Sequence, residues 1–209
     1  MKEACFFLVR HGESERNAKP DLMGQSPEEH LTHWGIEQAK KLGHFLLRGC
    51  PETFDRIYAS PYRRAKDTAD IACANFENSP GITLVDALRE YSAGDMLDKS
   101  RKEILSKELL IEMNNLGMNF KFPNGESLYE VEGRVSTWMN SILNFETTTP
   151  QNILVFSHGM SIKCLLHYVM QFDQKMTWRV KIDNTSITKI RFKDGVWHIE
   201  AINSIPHLL

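Results

Sequence analysis

The sequence predicts an α/β fold, a three-layer sandwich in which helices cover both faces of a mostly parallel central sheet. The first observation behind this prediction is that short apolar runs alternate with longer segments whose apolar residues recur at helical spacing. The second is the run "NILVF" at 152–156, which is almost continuously apolar, as expected of a strand buried on both faces. In such sheets ligands bind beyond the carboxyl ends of the strands, so the residues that follow each strand are candidates for a site.

The predicted elements follow one another in a regular order. Strands are predicted at 5–9, 55–60, 82–85 and 152–156, and helices at 33–48, 61–76, 99–116, 126–145 and directly after 158. Thr32 is placed to cap the first helix and Gly49 to end it, while Ser60-Pro61 reads as an N-cap and first helical position. The end of the chain predicts a hairpin with its turn at 193–195, and the final "SIPHLL" carries no assignment.

Composition and charge limit the class of protein. The chain has 209 residues, 42% apolar and 25% charged, with a net charge of −2, so we expect one domain over 1–209 and no nucleic-acid or acidic-membrane partner. No apolar run approaches the ~18 residues of a membrane span, and "ACFFLV" is too short for a signal peptide's apolar region. The cysteines are Cys5, Cys50, Cys73 and Cys164. They form no CxxC pair or zinc spacing, so we expect reduced, buried thiols in a cytoplasmic protein.

Three of the predicted strands end in polar clusters. The stretch "FFLVRHGESE" places Arg10 and His11 after four apolar residues, and "ILVFSHGMS" repeats the pattern at His158. A third strand end, "YASPYRRA", carries Arg63 and Arg64. A single histidine after a strand is usually a hydrogen-bonded structural residue. Two strand-terminal His-Gly units with arginines at neighbouring strand ends indicate one shared site.

These residue types suit a phosphoryl group. Arginine presents a planar fork of donors that matches phosphate oxygens, and the helix after His158 directs its positive end to the same place. Glycine after histidine is expected to let backbone amides approach an anion. Neighbouring cations lower a histidine's pKa, and a neutral ring nitrogen is a competent nucleophile. We therefore expect a histidine to attack phosphorus, the arginines and the second histidine to stabilise charge, and a carboxylic acid to serve first as acid and then as base.

The ordered motifs resemble those of the histidine phosphatase superfamily, which has the phosphoglycerate mutase-like fold. They are "RHGES" (10–14) with Asn17, "GQSPEEHLTHWGIEQA" (24–39), "YASPYRRA" (58–65), "LRE" (88–90), "PNGES" (123–127) and "SHG" (157–159). The motif "RHG" alone would be a weak signal. The whole set spans nearly the entire chain in the family's order, which makes the resemblance specific.

The resemblance implies a role for each matching residue. Its catalytic set is the phosphorylated nucleophile His11, the phosphate-gripping Arg10 and Arg64, the proton donor Glu90, and His158, which completes the pocket. Contacts to substrate are implied for Asn17, Gly24, Gln25 and Gly159. In the family's spacing Arg64 is the pocket arginine, so we interpret Arg63 as a surface charge. The implied activity is hydrolysis of a phosphomonoester, most simply a small molecule, without a cofactor.

The chain departs from the family's patterns in ways that bear on substrate. Glu90 is followed by "YSAGDMLDKS", without the Gly-x-Trp-Glu-Gly stretch of many members, and Arg16 stands where an aromatic residue is common. The chain also lacks the Arg-His-Tyr-Gly-type sequence, the Ala-His-Gly-Asn motif and the longer basic insertion of the mutases. We therefore rank a phosphatase above cofactor-dependent phosphoglycerate mutase-type phosphoryl transfer.

Two rival classes stay open at this point. Two histidines and a glutamate can ligate zinc, but arginines in the same pocket would repel a cation and no HExxH or Asp-rich cluster occurs, so no metal is expected. A catalytically silent phosphate-binding module would keep the pocket and lose the chemistry. Inertness toward an aryl phosphate, with phosphate still bound, would identify such a module.

The stretch 91–122 connects the acid to "PNGES" and is expected to be a helical insertion or lid over the active site that sets specificity. Its apolar residues Met96, Leu97, Met118 and Phe120 are interpreted as core packing, with the lining of a substrate entrance as the alternative. Nothing in the stretch separates sugar phosphates, nucleotides, phosphoglycerate-like acids or phosphoproteins as substrates. The oligomeric state is equally unreadable.

Overall fold

The computed structural model describes residues 3–48, 53–143 and 149–209, which contain a six-stranded sheet. The strands are β1 (Glu3–Arg10), β2 (Arg56–Ala59), β3 (Ile82–Leu84), β4 (Gln151–Ser157), β5 (Ile187–Lys193) and β6 (Val196–Ser204). Their order across the sheet is β3-β2-β4-β1-β5-β6. The first four in this order run parallel, β5 runs antiparallel to β1, and β6 pairs antiparallel with β5. The predicted mostly parallel sheet and the closing hairpin are confirmed.

Helices cover both faces of this sheet. They are α1 (His33–Arg48), α2 (Arg63–Cys73), α3 (Arg101–Ile104), α4 (Lys107–Leu116), α5 (Leu128–Leu143) and α6 (Gly159–Met170). Alternate side chains of β1 point to opposite faces of the sheet and pack against different helices. Phe6 and Leu8 pack in one cluster with residues of α5 and α6, whereas Phe7 and Val9 pack in another with residues of α1 and α2. The three-layer α/β sandwich is therefore confirmed.

The start of α2 differs from the prediction. The helix begins at Arg63 after an extended Tyr62, so Ser60-Pro61 is not its cap and first position. The Ser60 hydroxyl instead accepts a hydrogen bond from the Tyr62 N–H at 3.2 Å and lies 2.8 Å from Nε2 of His158. The Ser60 hydroxyl is thus occupied by these contacts with Tyr62 and His158 and does not cap the helix.

Two other predicted helices have different bounds. Phe76 lies beyond the end of α2. The predicted helix at 99–116 is broken into α3 and α4. The break occurs because Ser106 caps a new helix, its hydroxyl accepting a hydrogen bond from the Leu109 N–H at 3.2 Å. Apolar spacing therefore located the helical residues without revealing the cap that divides them.

The N-termini of α1 and α5 are capped by side chains. As predicted, Oγ1 of Thr32 accepts a hydrogen bond from the Gly35 N–H at 3.0 Å. At α5, the Glu130 N–H donates to Oγ of Ser127 at 3.1 Å, and the Glu130 carboxylate accepts the Ser127 N–H at 2.7 Å. This reciprocal pair is a capping box, so the serine of "PNGES" starts the helix that packs against α6.

The segment 91–122 forms a small apolar cluster together with Met23. The cluster combines buried Met23, Phe120 and Phe122 with partly buried Tyr91, Met96, Ile104, Leu105, Leu109 and Met113. Met118 is fully buried, as interpreted, whereas Leu97 is exposed. Backbone bonds tie the segment to the chain before Gly24, since the Met23 N–H donates to the Lys99 carbonyl at 2.8 Å.

Some sequence expectations concern single residues or the chain as a whole. Cys5, Cys73 and Cys164 are buried, as expected. Gly49, Cys50 and Phe145 lie outside the described residues. Within the described part of the chain, every helix is too short or too polar to cross a membrane.

Candidate active site

Strand pairing brings the three predicted polar clusters together. β1 and β4 are parallel neighbours with Arg10 opposite Ser157, so the next residue of each strand leaves the sheet beside the other. These residues are His11 and His158, whose ring centroids lie 5.1 Å apart. β2 lies on the other side of β4 and brings Ser60 within reach of His158. Both histidine side chains are fully buried at the carboxyl ends of these strands.

The His11 ring is held in one tautomer by its neighbours. Nδ1 lies 2.7 Å from the carbonyl oxygen of Gly12, which can only accept, so Nδ1 carries the proton. Nε2 is therefore unprotonated, and it accepts a hydrogen bond from Nε of Arg64 at 3.2 Å. The lone pair of Nε2 is the nucleophilic centre that this ring presents.

Of the two neighbouring arginines in "YRRA", only Arg64 reaches His11. The Arg64 side chain is fully buried, and its Nη1 donates to the Ser26 carbonyl at 2.8 Å. Arg63 is exposed and lies 3.6 Å from the Asp67 carboxylate on the surface of α2. The interpretation of Arg63 as a surface charge is confirmed.

Three buried nitrogen atoms near His11 have no hydrogen-bond partner among the described residues. They are Nε of Arg10, Nη2 of Arg64 and Nδ1 of His158. Arg10 is anchored through Nη1, which donates to the Ile182 carbonyl at 2.7 Å, so its free Nε is held in place. Buried polar groups almost always have partners, and unpaired buried charges are costly. The cluster is therefore suited to an anion with several acceptor oxygens.

Burial and neighbouring cations keep both histidines neutral. Burial is the largest cause that lowers the pKa of His11 well below its ordinary value of 6.5, followed by the charges of Arg64 and Arg10. Burial and then Arg64 likewise hold the pKa of His158 well below 6.5. Burial also lowers the pKa of Arg64 to about 10, which leaves its guanidinium charged at neutral pH. The site thus places neutral imidazole rings beside fixed positive charge.

Glu90 is fixed beside the same cluster. One carboxylate oxygen accepts the Tyr91 N–H at 2.9 Å, and the other accepts the Met160 N–H at 3.2 Å. Met160 is the second residue of α6, so Glu90 contacts the first turn of this helix. The Glu90 charge also acts on Arg10, whose pKa it raises against the larger lowering by burial. A carboxylate thus adjoins the cationic pocket.

The other four predicted site residues lie in different settings. Asn17 is half-buried in the loop after β1. Gly24 has a φ of +66°, a turn conformation that glycine adopts without strain. Oε1 of Gln25 is buried and has no partner among the described residues. Gly159 is the first residue of α6, and a Cβ at this position would lie 3.6 Å from the unpaired Nε of Arg10. Gly159 thus adjoins the pocket directly.

Glycine is required at position 12 for a reason that differs from the expected one. Its N–H donates to Oγ1 of Thr68 at 3.0 Å and is therefore not offered to an anion. A Cβ at position 12 would lie 2.6 Å from the Gly35 carbonyl oxygen. The expectation that this glycine opens a backbone amide to the anion is wrong. Glycine is required here because the loop after β1 packs directly on the start of α1.

Tyr62 is a neighbour of the pocket that sequence reasoning missed. Its ring meets His158 edge-on with the centroids 5.5 Å apart, and the guanidinium carbon of Arg64 lies 5.4 Å from the ring centroid. Burial is the main cause that raises the pKa of Tyr62, so its hydroxyl stays protonated. Its position between Ser60 and Arg64 in the strand-end motif was the available signal.

The segment 182–186 was missed as well. It precedes β5, and because β5 runs antiparallel to β1, the beginning of β5 lies at the end of β1. The Thr185 N–H donates to the Arg10 carbonyl at 3.0 Å, and Asn184 contacts the loop after β1. The signal was the place of this segment next to the predicted hairpin, but its pairing with β1 was not visible in the sequence.

The zinc hypothesis finds no ligand set in the described ranges. No group of three or more His, Cys, Asp or Glu side chains is arranged there to hold a metal ion. The ring nitrogens of His11 are engaged by Gly12 and Arg64. The guanidinium beside Nε2 would repel a metal cation at the position where a ligand bond would form.

This fold and this site define a class of α/β protein in which buried neutral histidines and arginines meet at the carboxyl ends of parallel strands, a set suited to an anion such as a phosphoryl group. The family model described as "Histidine phosphatase superfamily (branch 1)" matches residues 6–205. The chain therefore belongs to the histidine phosphatase superfamily, which confirms the resemblance drawn from the motifs.

The chain is similar over nearly its whole length to proteins of two named activities. It is 29% identical over 205 residues to "Putative phosphoserine phosphatase 2" of Hydrogenobacter thermophilus, covering 96% of each chain. It is 30% identical over 213 residues to "Probable phosphoglycerate mutase GpmB" of Salmonella choleraesuis, covering 97% of this chain and 94% of that protein. These names leave two activities to consider, hydrolysis of a phosphate ester and transfer of a phosphoryl group.

Solved structures show the same fold. A phosphoserine phosphatase mutant of Entamoeba histolytica, in complex with phosphoserine, superposes with a TM-score of 0.84 at 23% identity, covering 99% of this chain and 100% of that one. A structure described as a putative α-ribazole-5′-P phosphatase of Escherichia coli gives a TM-score of 0.81 at 24% identity, covering 96% of each chain. The phosphoglycerate mutase-like architecture expected from the motifs is therefore confirmed.

Proposed function

We propose that the chain is a phosphomonoester hydrolase that acts on small-molecule phosphate esters through a phosphohistidine on His11. The observation that carries this proposal is the set of unpaired buried nitrogen atoms around an unprotonated Nε2. The set comprises Nε of Arg10, Nη2 of Arg64 and Nδ1 of His158. A phosphoryl group in transfer has three equatorial oxygens, and these nitrogen atoms donate to them when Nδ1 of His158 carries the proton of that ring and Nε2 accepts from the Ser60 hydroxyl. Membership of the superfamily and the relative named as a phosphoserine phosphatase support the same activity.

The first step forms the phosphoenzyme. Nε2 of His11 attacks phosphorus while the bond from phosphorus to the ester oxygen breaks. The two arginines and His158 hold the equatorial oxygens, where their charge and dipoles stabilise the transition state. Glu90, in its protonated form, transfers its proton to the departing oxygen, which leaves as an alcohol.

The second step returns the enzyme to its starting state. A water molecule attacks the phosphorus of phosphohistidine, and the bond from phosphorus to Nε2 breaks. The Glu90 carboxylate accepts the proton of that water, so it is again an acid for the next cycle. Inorganic phosphate leaves, and the Gly12 carbonyl keeps Nδ1 protonated throughout.

Mutase-type transfer is the second candidate because one relative carries that name at 30% identity. A mutase would pass the phosphoryl group from His11 to a second acceptor in place of water. The chain's own departures after Glu90, where "YSAGD" stands in place of the mutase pattern, favour the hydrolase. Addition of bisphosphoglycerate separates the two candidates.

The proposal also covers the number of domains, the role of the segment 91–122 and the location of the protein in the cell. The chain is one domain over 1–209, in which the segment 91–122 covers the pocket and selects the substrate. The bond from Met23 to Lys99 supports this placement because it ties the segment to the loop that carries Gly24 and Gln25. The buried cysteines are in keeping with a cytoplasmic location.

A panel of phosphate esters tests the function. Wild-type protein should release inorganic phosphate from at least one ester without bisphosphoglycerate, and the His11→Ala variant should release none. Turnover that appears only with bisphosphoglycerate would favour the mutase. A wild-type protein that binds phosphate but turns over no ester, including an aryl phosphate, would identify a silent binding module.

A further inference from the structure

The segment 182–186, which precedes β5, is hydrogen-bonded to the end of β1 and to His11. Nη1 of Arg10 donates to the Ile182 carbonyl at 2.7 Å, and the Thr185 N–H donates back to the Arg10 carbonyl at 3.0 Å. Asn184 stands between these two residues. Its Nδ2 group donates to the backbone carbonyl of His11 at 3.0 Å and to Oδ1 of Asn17 at 3.1 Å.

Backbone groups fix the orientation of both amides. The His11 carbonyl can only accept, so the Asn184 atom facing it is the nitrogen. The Ser14 N–H can only donate, so the Asn17 atom facing it at 3.1 Å is the oxygen. Oδ1 of Asn17 thus receives donors from both Ser14 and Asn184, and its Nδ2 group points away from them. Nδ2 of Asn17 has no partner elsewhere in the described residues, so two donors remain available.

The backbone next to Asn184 is strained in a way that supports a functional role. Thr185 is fully buried and has a φ of +56°, a conformation that a β-branched residue rarely adopts. Its N–H bond to Arg10 and the 3.0 Å contact of its Oγ1 with Nε2 of His207 hold it there. Such strain persists only where the surroundings impose it, and it concentrates at functional sites.

We propose that Asn184 is a positioning residue, which holds the loop of the nucleophile and turns the Asn17 amide so that its Nδ2 group faces the phosphoryl oxygens. The inference rests on the proposed function, since it assigns Asn17 to phosphate binding. Asn184 does not touch the substrate. It acts through His11, whose backbone it anchors, and through Asn17, whose donor it aims.

The Asn184→Asp variant tests the role with almost no change in shape. An aspartate would place acceptor oxygens against the His11 carbonyl and Oδ1 of Asn17, so the Asn17 amide is expected to flip. The affinity for inorganic phosphate, measured by titration calorimetry, should fall about tenfold, as expected when a hydrogen bond to a charged group is lost. The value of kcat should fall by up to about 10²-fold because the nucleophile is displaced. Asn184→Ala, checked by thermal unfolding, serves where the aspartate variant fails to fold.

A double-mutant cycle separates aiming from simple support. If Asn184 acts through Asn17, then Asn184→Ala, which adds no charge near the anion, should weaken phosphate binding in the wild type but have little further effect in an Asn17→Ala background. Equal losses in the two backgrounds would overturn the proposal. Because the cycle measures phosphate affinity, it tests the positioning role even if the wild type turns over no ester. A wild-type protein that binds phosphate but hydrolyses no ester would contradict only the proposed hydrolase.

Asn203, a residue of β6 that contacts the same turn, provides a matched control. Its Oδ1 accepts the Asp183 N–H at 2.6 Å and its Nδ2 donates to the Asp183 carboxylate at 2.9 Å, so it ties the turn to β6. Asn203→Ala should therefore lower Tm while phosphate affinity stays within about twofold of the wild type. If Asn203→Ala reproduced the losses of Asn184→Asp, general stability of the turn would explain both, and the proposal would be wrong.

Discussion

Arg63 and Arg64 are adjacent in the chain but lie in opposite environments. Arg64 donates from Nε to His11 and from Nη1 to Ser26, which leaves Nη2 for a ligand. Arg63 is exposed beside Asp67. The planar fork of Arg64 is therefore used on three sides, and a lysine, with a single ammonium group, cannot replace it.

Replacement of each arginine by lysine should give opposite results. We expect Arg64→Lys to lower kcat/KM by about 10²-fold, because the anion loses a fixed donor and Nε2 of His11 loses its partner. Arg63→Lys should stay within about twofold of the wild type, since it is a surface substitution. Steady-state kinetics on one phosphate ester measures both. Comparable losses in the two variants would contradict the assignment of the pocket arginine.

The role of Glu90 predicts a dependence on the leaving group. Only a basic leaving oxygen needs a proton in the transition state, so Glu90→Ala should slow alkyl esters by about 10²-fold or more. A nitrophenyl ester, whose leaving group is stable as an anion, should lose much less. The ratio of kcat/KM for the two esters, in wild type and variant, is the measurement. Equal loss for both esters would argue that Glu90 has a structural role in its place.

At the residue scale, the sequence predicted which side chains meet at the site better than it predicted the contacts that support them. The two His-Gly motifs located His11 and His158 because a buried strand followed by a titratable ring is recognisable in a local window. The contact from Asn184 to His11 joins residues 173 positions apart. No local pattern encodes such a contact, because it depends on which strands become neighbours.

At the element scale, the sheet order explains the composition of the site. β1 and β4 contribute their carboxyl ends, as parallel strands do, while β5 contributes the residues before its beginning. The general rule about carboxyl ends of parallel strands therefore led to the histidines. It overlooked the antiparallel neighbour, whose N-terminal side faces the same edge of the sheet.

The packing of α1 on the loop after β1 depends on two glycines. A Cβ on Gly12 would collide with the Gly35 carbonyl, and a Cβ on Gly35 would collide with the Glu13 carbonyl. Both obstacles are backbone atoms, which cannot turn aside as a flexible side chain would. This close approach brings the start of α1 directly against the loop that begins at His11.

Alanine substitutions should therefore have opposite signs in two helices. Gly35→Ala is expected to lower the free energy of unfolding by about 1–3 kcal/mol through overpacking. Gly133→Ala, in the middle of α5 with open space around its Cβ position, should raise it by up to about 1 kcal/mol. Urea unfolding of both variants measures the two changes. A neutral Gly35→Ala would show that the contact is not tight.

At the scale of the whole molecule, alternation of apolar runs and helical spacing was enough to predict the layers of the sandwich. The same patterns did not predict the break between α3 and α4, because both helices keep one apolar periodicity across Ser106. They also did not predict the strand order, because the strand pairings join residues far apart in the chain and leave no local signal.

Stability should fall as the pH drops below about 6.5, even before carboxylates titrate. Burial lowers the pKa of His11 and His158 well below 6.5, and that of His207 to about 4. The histidines therefore become protonated near pH 6.5 in the unfolded chain but stay neutral in the folded chain. Each fully buried histidine lowers the free energy of unfolding by up to about 1.4 kcal/mol per pH unit. Urea unfolding between pH 7 and pH 5 measures this slope. His11→Asn should make it shallower, and parallel curves for the two proteins would count against a neutral buried His11.

The central claim is that Nε2 of His11 carries the phosphoryl group during turnover. Rapid quenching of wild-type protein with a phosphate ester, followed by mass spectrometry of the peptides under conditions that preserve phosphohistidine, locates that group. We predict a phosphoryl group on the peptide that contains His11, which is absent from His11→Ala and builds up when Glu90→Ala reacts with a nitrophenyl ester. Turnover with inversion of configuration at phosphorus, without a covalent phosphoenzyme, would contradict the account, as would a phosphoryl group found on another residue.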